Sequence, residues 1–229
     1  MIVIVAGMPR SGSTFSFNVV REILQSLGST AWASDNRMPP LGRLTASAHF
    51  VLKSHHPDEE IRSMIADGRA KAICTHRKPE DAIASWSQTF GFSLAESIET
   101  VASWIAWHSE LAGRMLNLPY EQVEGDPAAA IDRIAAWLGV EWSVERRSEL
   151  LAKYDKRAVF ERVSRMEKDE STVDLGFSYY DPESFFHRRH VRSVEPLGAA
   201  SVLSETAVAE IRTVLAAYLS DGGEYRPVG

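Results

Sequence analysis

The sequence predicts an α/β fold with a central, mainly parallel sheet flanked by helices, and three observations predict it. Short apolar runs (2–5, 49–53 and 71–75) alternate with segments of helical periodicity. The first run passes through a Gly-bearing loop straight into an amphipathic helix. Each run also ends in a polar, cation-bearing cluster: Arg10 to Thr14, Lys53 to His56, and Arg77 to Pro79. In a parallel sheet such ends converge on one edge, where ligands bind.

The whole chain sets bounds on this reading. Its 229 residues can bury a substantial core and are read as one domain, 1–229. A net charge of −6 argues against bulk nucleic-acid binding, which needs a basic surface, but leaves room for a local basic pocket. Cys74 is the one cysteine, so no disulfide framework is expected; its setting, Ala72-Ile73-Cys74, marks a small core residue. The first apolar run is too short for a signal h-region and has no basic segment before it. No run approaches the roughly 20 residues that span a membrane, so no transmembrane segment and a cytoplasmic location are expected. The sequence leaves the oligomeric state open.

In chain order, Ile2, Val3, Ile4 and Val5 form a β-branched run suited to a buried strand. From Ser13 on, Phe17, Val20, Leu24 and Leu27 share one helical face. Residues 28–48 show weak periodicity and are read as irregular, a candidate substrate rim. His49–Lys53 is the next strand; Pro57 is placed in the first turn of a helix whose inner face is Ile61, Met64 and Ile65. Lys71–Thr75 is a further strand, and Pro79 starts a helix carrying Ala82, Ile83, Trp86 and Phe90.

Ser93 and Glu96 have the spacing of a capping box and open a long helix through Ile98, Val101, Ile105, Leu111 and Met115. Met115–Pro119 is a short strand candidate. Asp126-Pro127 opens a helix that Gly139 closes. Two short helices are expected between 143 and 170, irregular chain over 171–200, and a last helix over 204–219. Trp86, Trp104, Trp107, Trp137 and Trp142 are assigned to core or rim packing, and the acidic residues of 167–170 to a solvated face.

The loop Gly7-Met8-Pro9-Arg10-Ser11-Gly12-Ser13-Thr14 nearly matches G-x-x-x-x-G-K-[ST], with Ser13 where the lysine belongs and the cation at Arg10. Backbone N–H groups left unpaired at the helix start, with the helix dipole behind them, make an anion site. The fold is thus expected to be three-layered and P-loop-like. Arg77 at a helix start is unfavourable unless an anion meets it, which points to a ligand there too.

Three motifs together resemble the sulfotransferases that use 3′-phosphoadenosine 5′-phosphosulfate (PAPS). Pro9-Arg10-Ser11-Gly12-Ser13-Thr14-Phe15 is similar to the family's 5′-phosphosulfate loop, with Phe15 where a tryptophan is usual. Lys53-Ser54-His55-His56-Pro57 resembles the segment that holds its general base. Arg77-Lys78-Pro79-Glu80-Asp81-Ala82, followed by Ser85, resembles its 3′-phosphate motif. Two further stretches are similar: Tyr120-Glu121 with Asp126-Pro127, near the adenine, and Phe186-His187-Arg188-Arg189-His190-Val191, the late basic loop. That loop lacks the family's Gly-x-x-Gly-Asp-Trp ending, and Val159 stands where Ser or Thr is common.

The resemblance implies in-line sulfuryl transfer from PAPS to a hydroxyl acceptor, leaving 3′-phosphoadenosine 5′-phosphate (PAP), with no metal. It makes His55, Lys53 and Arg10 catalytic, with His56 the rival base. Arg10, Ser11, Gly12, Ser13, Thr14, Phe15, Arg77, Ser85, Tyr120, Arg188 and Arg189 would bind the donor; Arg188, Arg189 and Arg192 can equally form a solvated loop. The chemistry is consistent: the loop N–H groups and cations stabilise charge on peripheral and leaving oxygens, and a histidine titrates near neutral pH. The acceptor, a small molecule or glycan, is expected between 28–48 and 86–110, in a fairly open site. The rival readings are a P-loop nucleotide or small-molecule kinase and a non-catalytic PAPS- or PAP-binding homologue.

Overall fold

A computed structural model of the chain describes residues 1–176, 178–188, 190, 191, 198–220 and 225, without the side chains of residues 41 and 43. The elements are β1 (Ile2–Val5), α1 (Ser13–Gln25), β2 (Thr30–Ser34), α2 (Leu41–Thr45), β3 (His49–Lys53), α3 (Glu59–Ala66), β4 (Lys71–His76), α4 (Pro79–Phe90) and α5 (Leu94–Leu111). They continue as β5 (Leu116–Pro119), α6 (Tyr120–Gly125), α7 (Pro127–Leu138), α8 (Val144–Tyr154), α9 (Lys156–Ser164), β6 (Val173–Asp174), β7 (Tyr179–Tyr180) and α10 (Glu205–Val214).

The first five strands form one parallel sheet in the order β2-β3-β1-β4-β5. Strand β1 sits at its centre, so its alternate side chains feed two cores. Ile4 packs with Ile61, Ile83, Trp104 and Ile211 on one face; Val3 and Val5 pack with Phe17, Val20, Ile131 and Val163 on the other. Burial on both faces is why this strand reads as an unbroken apolar run. The three layers are therefore α3, α4, α5 and α10 on one side, the sheet, and α1, α7, α8 and α9 on the other.

Local chemistry sets the helix boundaries. Ser93 and Glu96 form the reciprocal capping box of α5. Asp126 caps α7, and Gly139 ends it at φ 77°. Ser143, Asp155 and Ser204 cap α8, α9 and α10.

Several boundaries differ from the sequence reading. Pro57 lies ahead of its helix, because Asp58 takes the N-cap and accepts from Ile61 N–H. Residues 28–48 are not irregular throughout: they supply edge strand β2 and the short α2. Residues 171–200 contain the β6–β7 hairpin, and Tyr120–Gly125 adds a helix. The last helix ends at Val214, with a 3₁₀ turn following. Among the described residues no helix is long and apolar enough to cross a membrane.

Candidate active site

The loop after β1 is pinned from beneath by β4. Ala6 and Met8 N–H donate to the Ile73 and Thr75 carbonyls, at 2.9 and 2.8 Å. Ser11 Oγ donates within the same cluster, 2.6 Å from the Met8 carbonyl and 2.8 Å from that of Thr75. So close a crossing requires glycine at position 7: a Cβ there would lie 2.3 Å from Thr75 Oγ1 and 2.6 Å from Ser13 Cβ. The turn is completed by left-handed residues at Arg10 (φ 64°) and Gly12 (φ 86°). Arg10 has no glycine freedom there, so its conformation carries backbone strain.

Gly12 is the N-cap of α1 and has no side chain to cap it. The N–H groups of Ser13, Thr14 and Phe15 consequently start the helix without a protein acceptor among the described residues, aimed into a cleft of about 470 Å³. This is the physical form of an anion site. Gly12, Ser13, Thr14 and Phe15 line the cleft. Ser11 does not: its Oγ and its N–H are both spent inside the loop.

Lys53 ends β3, whose register against β1 places it beside Val5. Its Nζ lies 3.2 Å from His55 Nε2. His55 Nδ1 lies 2.6 Å from the Gly7 carbonyl. A carbonyl only accepts, so Nδ1 carries the proton and Nε2 keeps its lone pair. Three contacts hold this segment. Trp107 Nε1 donates to the His55 carbonyl at 3.3 Å. Asn36 Oδ1 accepts from Ser54 Oγ (2.9 Å) and from His56 N–H (3.1 Å).

Burial, then the Lys53 charge, hold His55 well below the usual histidine range, the bond to Gly7 opposing them. Burial first and Arg10 second push Lys53 down to about 8. Both His55 and Lys53 line the cleft; His56 does not.

Strand β4 delivers Arg77. Its guanidinium stacks over the Tyr120 ring, 4.4 Å from the centroid. Its Nη1 donates to the Arg10 carbonyl (3.3 Å), its Nη2 is 3.5 Å from Asp81, and its Nε is buried without a hydrogen-bond partner. Arg10 Nε donates to Ser85 Oγ (3.1 Å) and its Nη2 to the His190 carbonyl (2.9 Å). Tyr120 is pushed up, chiefly by burial and then by Glu124.

The structure thus gathers Arg10, Gly12, Ser13, Thr14, Phe15, Lys53, His55, Arg77, Ser85 and Tyr120 around one cleft. Arg188 is exposed, directed at the Tyr179 hydroxyl (3.4 Å), and does not line it. Arg189 and Arg192 lie outside the described residues. Trp104 and Trp107 are core residues, and Trp86 is on the cleft wall. No cluster of His, Cys, Asp or Glu suited to a metal ion occurs among the described residues.

The model of a family described as the sulfotransferase family matches residues 60–144, the stretch that carries Arg77, Ser85 and Tyr120. Mouse sulfotransferase SULT7A1 complexed with PAP aligns over 97% of this chain and 86% of its own, at TM-score 0.65 and 13% identity. The chain has the sulfotransferase fold. Retinol dehydratase complexed with retinol and PAP aligns over 96% of this chain and 81% of its own, at TM-score 0.60 and 18% identity. The same enzyme with androsterone and inactive cofactor PAP gives 0.59 and 17%, with the same coverage. No curated protein sequence matches. Within this sulfotransferase fold, the sequence reading gave no role of their own to His187 and His190, which line the cleft, or to Asn36, which holds the Ser54–His56 segment from behind it. The histidines had a faint signal, since His187 and His190 stand three apart around two arginines, the spacing of a single turn.

Proposed function

We propose that the protein is a PAPS-dependent sulfotransferase acting on a hydroxyl acceptor, with His55 as general base. The observation that carries this reading is the state of His55: a neutral imidazole with its Nδ1 proton fixed on Gly7 and its Nε2 lone pair at the cleft, beside two cations. An acceptor hydroxyl at Nε2 loses its proton as its oxygen bonds to sulfur. The bond from sulfur to the bridging oxygen breaks in line, and Arg10 with the Ser13–Phe15 N–H groups meets the charge left on the 5′-phosphate. Lys53, held at Nε2 in the free protein, neutralises the transferring group.

The donor suits the residues present. The unpartnered amides of α1 and the orphaned Nε of Arg77 are donors in need of anionic acceptors. Arg77 and Ser85 would take the 3′-phosphate, while Phe15 and the Arg77-stacked Tyr120 would flank the base. The PAP in the similar structures supports this donor. A kinase reading fits less well, since Ser13 stands in place of the loop lysine and β4 leads into Arg77 instead of a metal-binding acid.

The test is transfer of label from sulfur-labelled PAPS into pooled phenols, sugars and alcohols, together with calorimetry of PAP. Incorporated label and PAP binding without magnesium are expected. Binding of magnesium-ATP in place of PAP would overturn the reading in favour of a kinase. Tight PAP binding with no transfer to any pool would favour a binding protein.

A further inference from the structure

The turn after β7 is tightly built. Asp181 N–H donates to the Phe186 carbonyl (2.9 Å), and Phe185 N–H donates to the Asp181 carbonyl (2.8 Å), with Phe185 at φ 56°. Phe186 is plugged into the core, 1% exposed. His187 pairs across an antiparallel bridge with Tyr180. His190 N–H then closes back on the His187 carbonyl at 2.8 Å, leaving the two imidazoles 4.7 Å apart. Both line the cleft.

His187 is therefore rigidly placed and yet makes no side-chain hydrogen bond among the described residues; its Nδ1 is buried and unpartnered. Its ring faces Phe90 at 5.5 Å, and Phe90 packs on Trp86 at 4.6 Å. Burial and the charges of Arg10 and Lys53 push it down to about 3, so it is neutral and offers one donor and one acceptor. Leaving such a group unpaired is costly, and a cleft occupant that pairs with it recovers that cost.

We infer that His187 holds the acceptor by a second hydrogen bond, so that the acceptor class carries a polar group, such as a second hydroxyl, besides the hydroxyl that reacts. This rests on the sulfotransferase reading. The neighbouring cations already serve the anionic donor, and His187 sits instead where the apolar wall of Trp86 and Phe90 begins. Phe90 would cover the flat face of the acceptor while His187 reads its edge. His187 is a specificity residue in this account; His55 remains the base.

The experiment compares phenol with catechol, resorcinol and hydroquinone as acceptors, with kcat/KM taken per reactive hydroxyl and PAP affinity measured alongside. The wild-type chain is expected to favour at least one diol over phenol by about tenfold, mainly through KM. His187→Ala should erase that preference, and His187→Gln, which keeps a donor and an acceptor, should restore part of it. Failure of the wild-type chain to distinguish any diol from phenol overturns the inference. So does an alanine variant that loses phenol and diol equally, or one that keeps the preference. A chain that binds no PAP fails the sulfotransferase reading itself; one that binds PAP but ignores the second hydroxyl fails this inference alone.

Discussion

The Gly7 carbonyl accepts the Nδ1 proton of His55 at 2.6 Å, so the loop at the end of β1 fixes the tautomer of an imidazole delivered by β3. The same residue must be glycine to pass Thr75. One backbone position thus ties the anion loop to the candidate base. Gly7→Ala is expected to cost about 1–3 kcal/mol by overpacking, because backbone and β4 must move apart. Urea denaturation measures the loss, and PAP affinity should fall in the same variant. Wild-type stability would show that the crossing is looser than 2.3 Å implies.

Acid should destabilise the fold. His76 and His108 are each pushed down to about 4, mainly by burial. Well above pH 6.5 both are neutral folded or unfolded, and they contribute no pH dependence. As pH falls from 6.5 towards 4 the unfolded chain takes up protons that the folded chain refuses. Stability should drop by about 1.4 kcal/mol per pH unit for each histidine in that window. Thermal melts of His108→Gln, read against wild type between pH 7 and 4, check the slope.

Lys53 is expected to set the alkaline limit of the reaction. With its folded value down to about 8, it loses its charge as pH rises past that point. On the proposed mechanism kcat/KM falls above pH 8, whereas His55, held well below the usual histidine range, keeps the base form available on the acid side of neutrality. Lys53→Arg should move the alkaline limb upward. An unchanged limb in that variant would assign it to another group.

On the proposed donor site, Arg77 is expected to separate two nucleotides. Arg77→Met is expected to weaken PAP by about 10- to 100-fold through loss of charge-assisted hydrogen bonds. Adenosine 5′-phosphate, which lacks the 3′-phosphate, should change far less. Calorimetry with the two ligands gives the ratio, and equal losses would remove Arg77 from the 3′ position.

On the proposed mechanism Asn36 is a positioning residue for the candidate base His55, not a group that touches the reacting atoms. Its Oδ1 gathers Ser54 Oγ and His56 N–H. Asn36→Ala should lower kcat by about tenfold or more, as expected for a misplaced catalytic group, with PAP affinity kept. A parallel fall in PAP affinity would mean that the whole sheet edge had shifted.

Much of this architecture was legible because its signals are local. Strand β3 follows from the apolar run before Lys53, the capping box from Ser93 and Glu96, and α7 from Asp126-Pro127 and Gly139. The convergence of Arg10, Lys53 and Arg77 followed from parallel topology alone. Strand β2 was hidden because Thr30–Ser34 is an edge strand that pairs only with β3, and its mostly small, half-buried residues around Trp32 carry no clear alternation of burial. The place of His187 depends on a bridge to Tyr180 and a plug at Phe186, neither of which leaves a periodic trace. Asn36 was invisible for the same reason: its partners come from another strand end.

Cys74 lies on the inner strand β4 with no exposed surface, its thiol donating to the Ala6 carbonyl and pushed well up by burial. It is the chain's one cysteine. A thiol so placed stays protonated and out of reach of alkylating reagents while the fold is intact. The natural protein is thus already a silent background for maleimide chemistry. A cysteine introduced at Phe92, 38% exposed and stacked on Trp86, would carry a fluorophore to the cleft's aromatic wall with no second labelling site to remove.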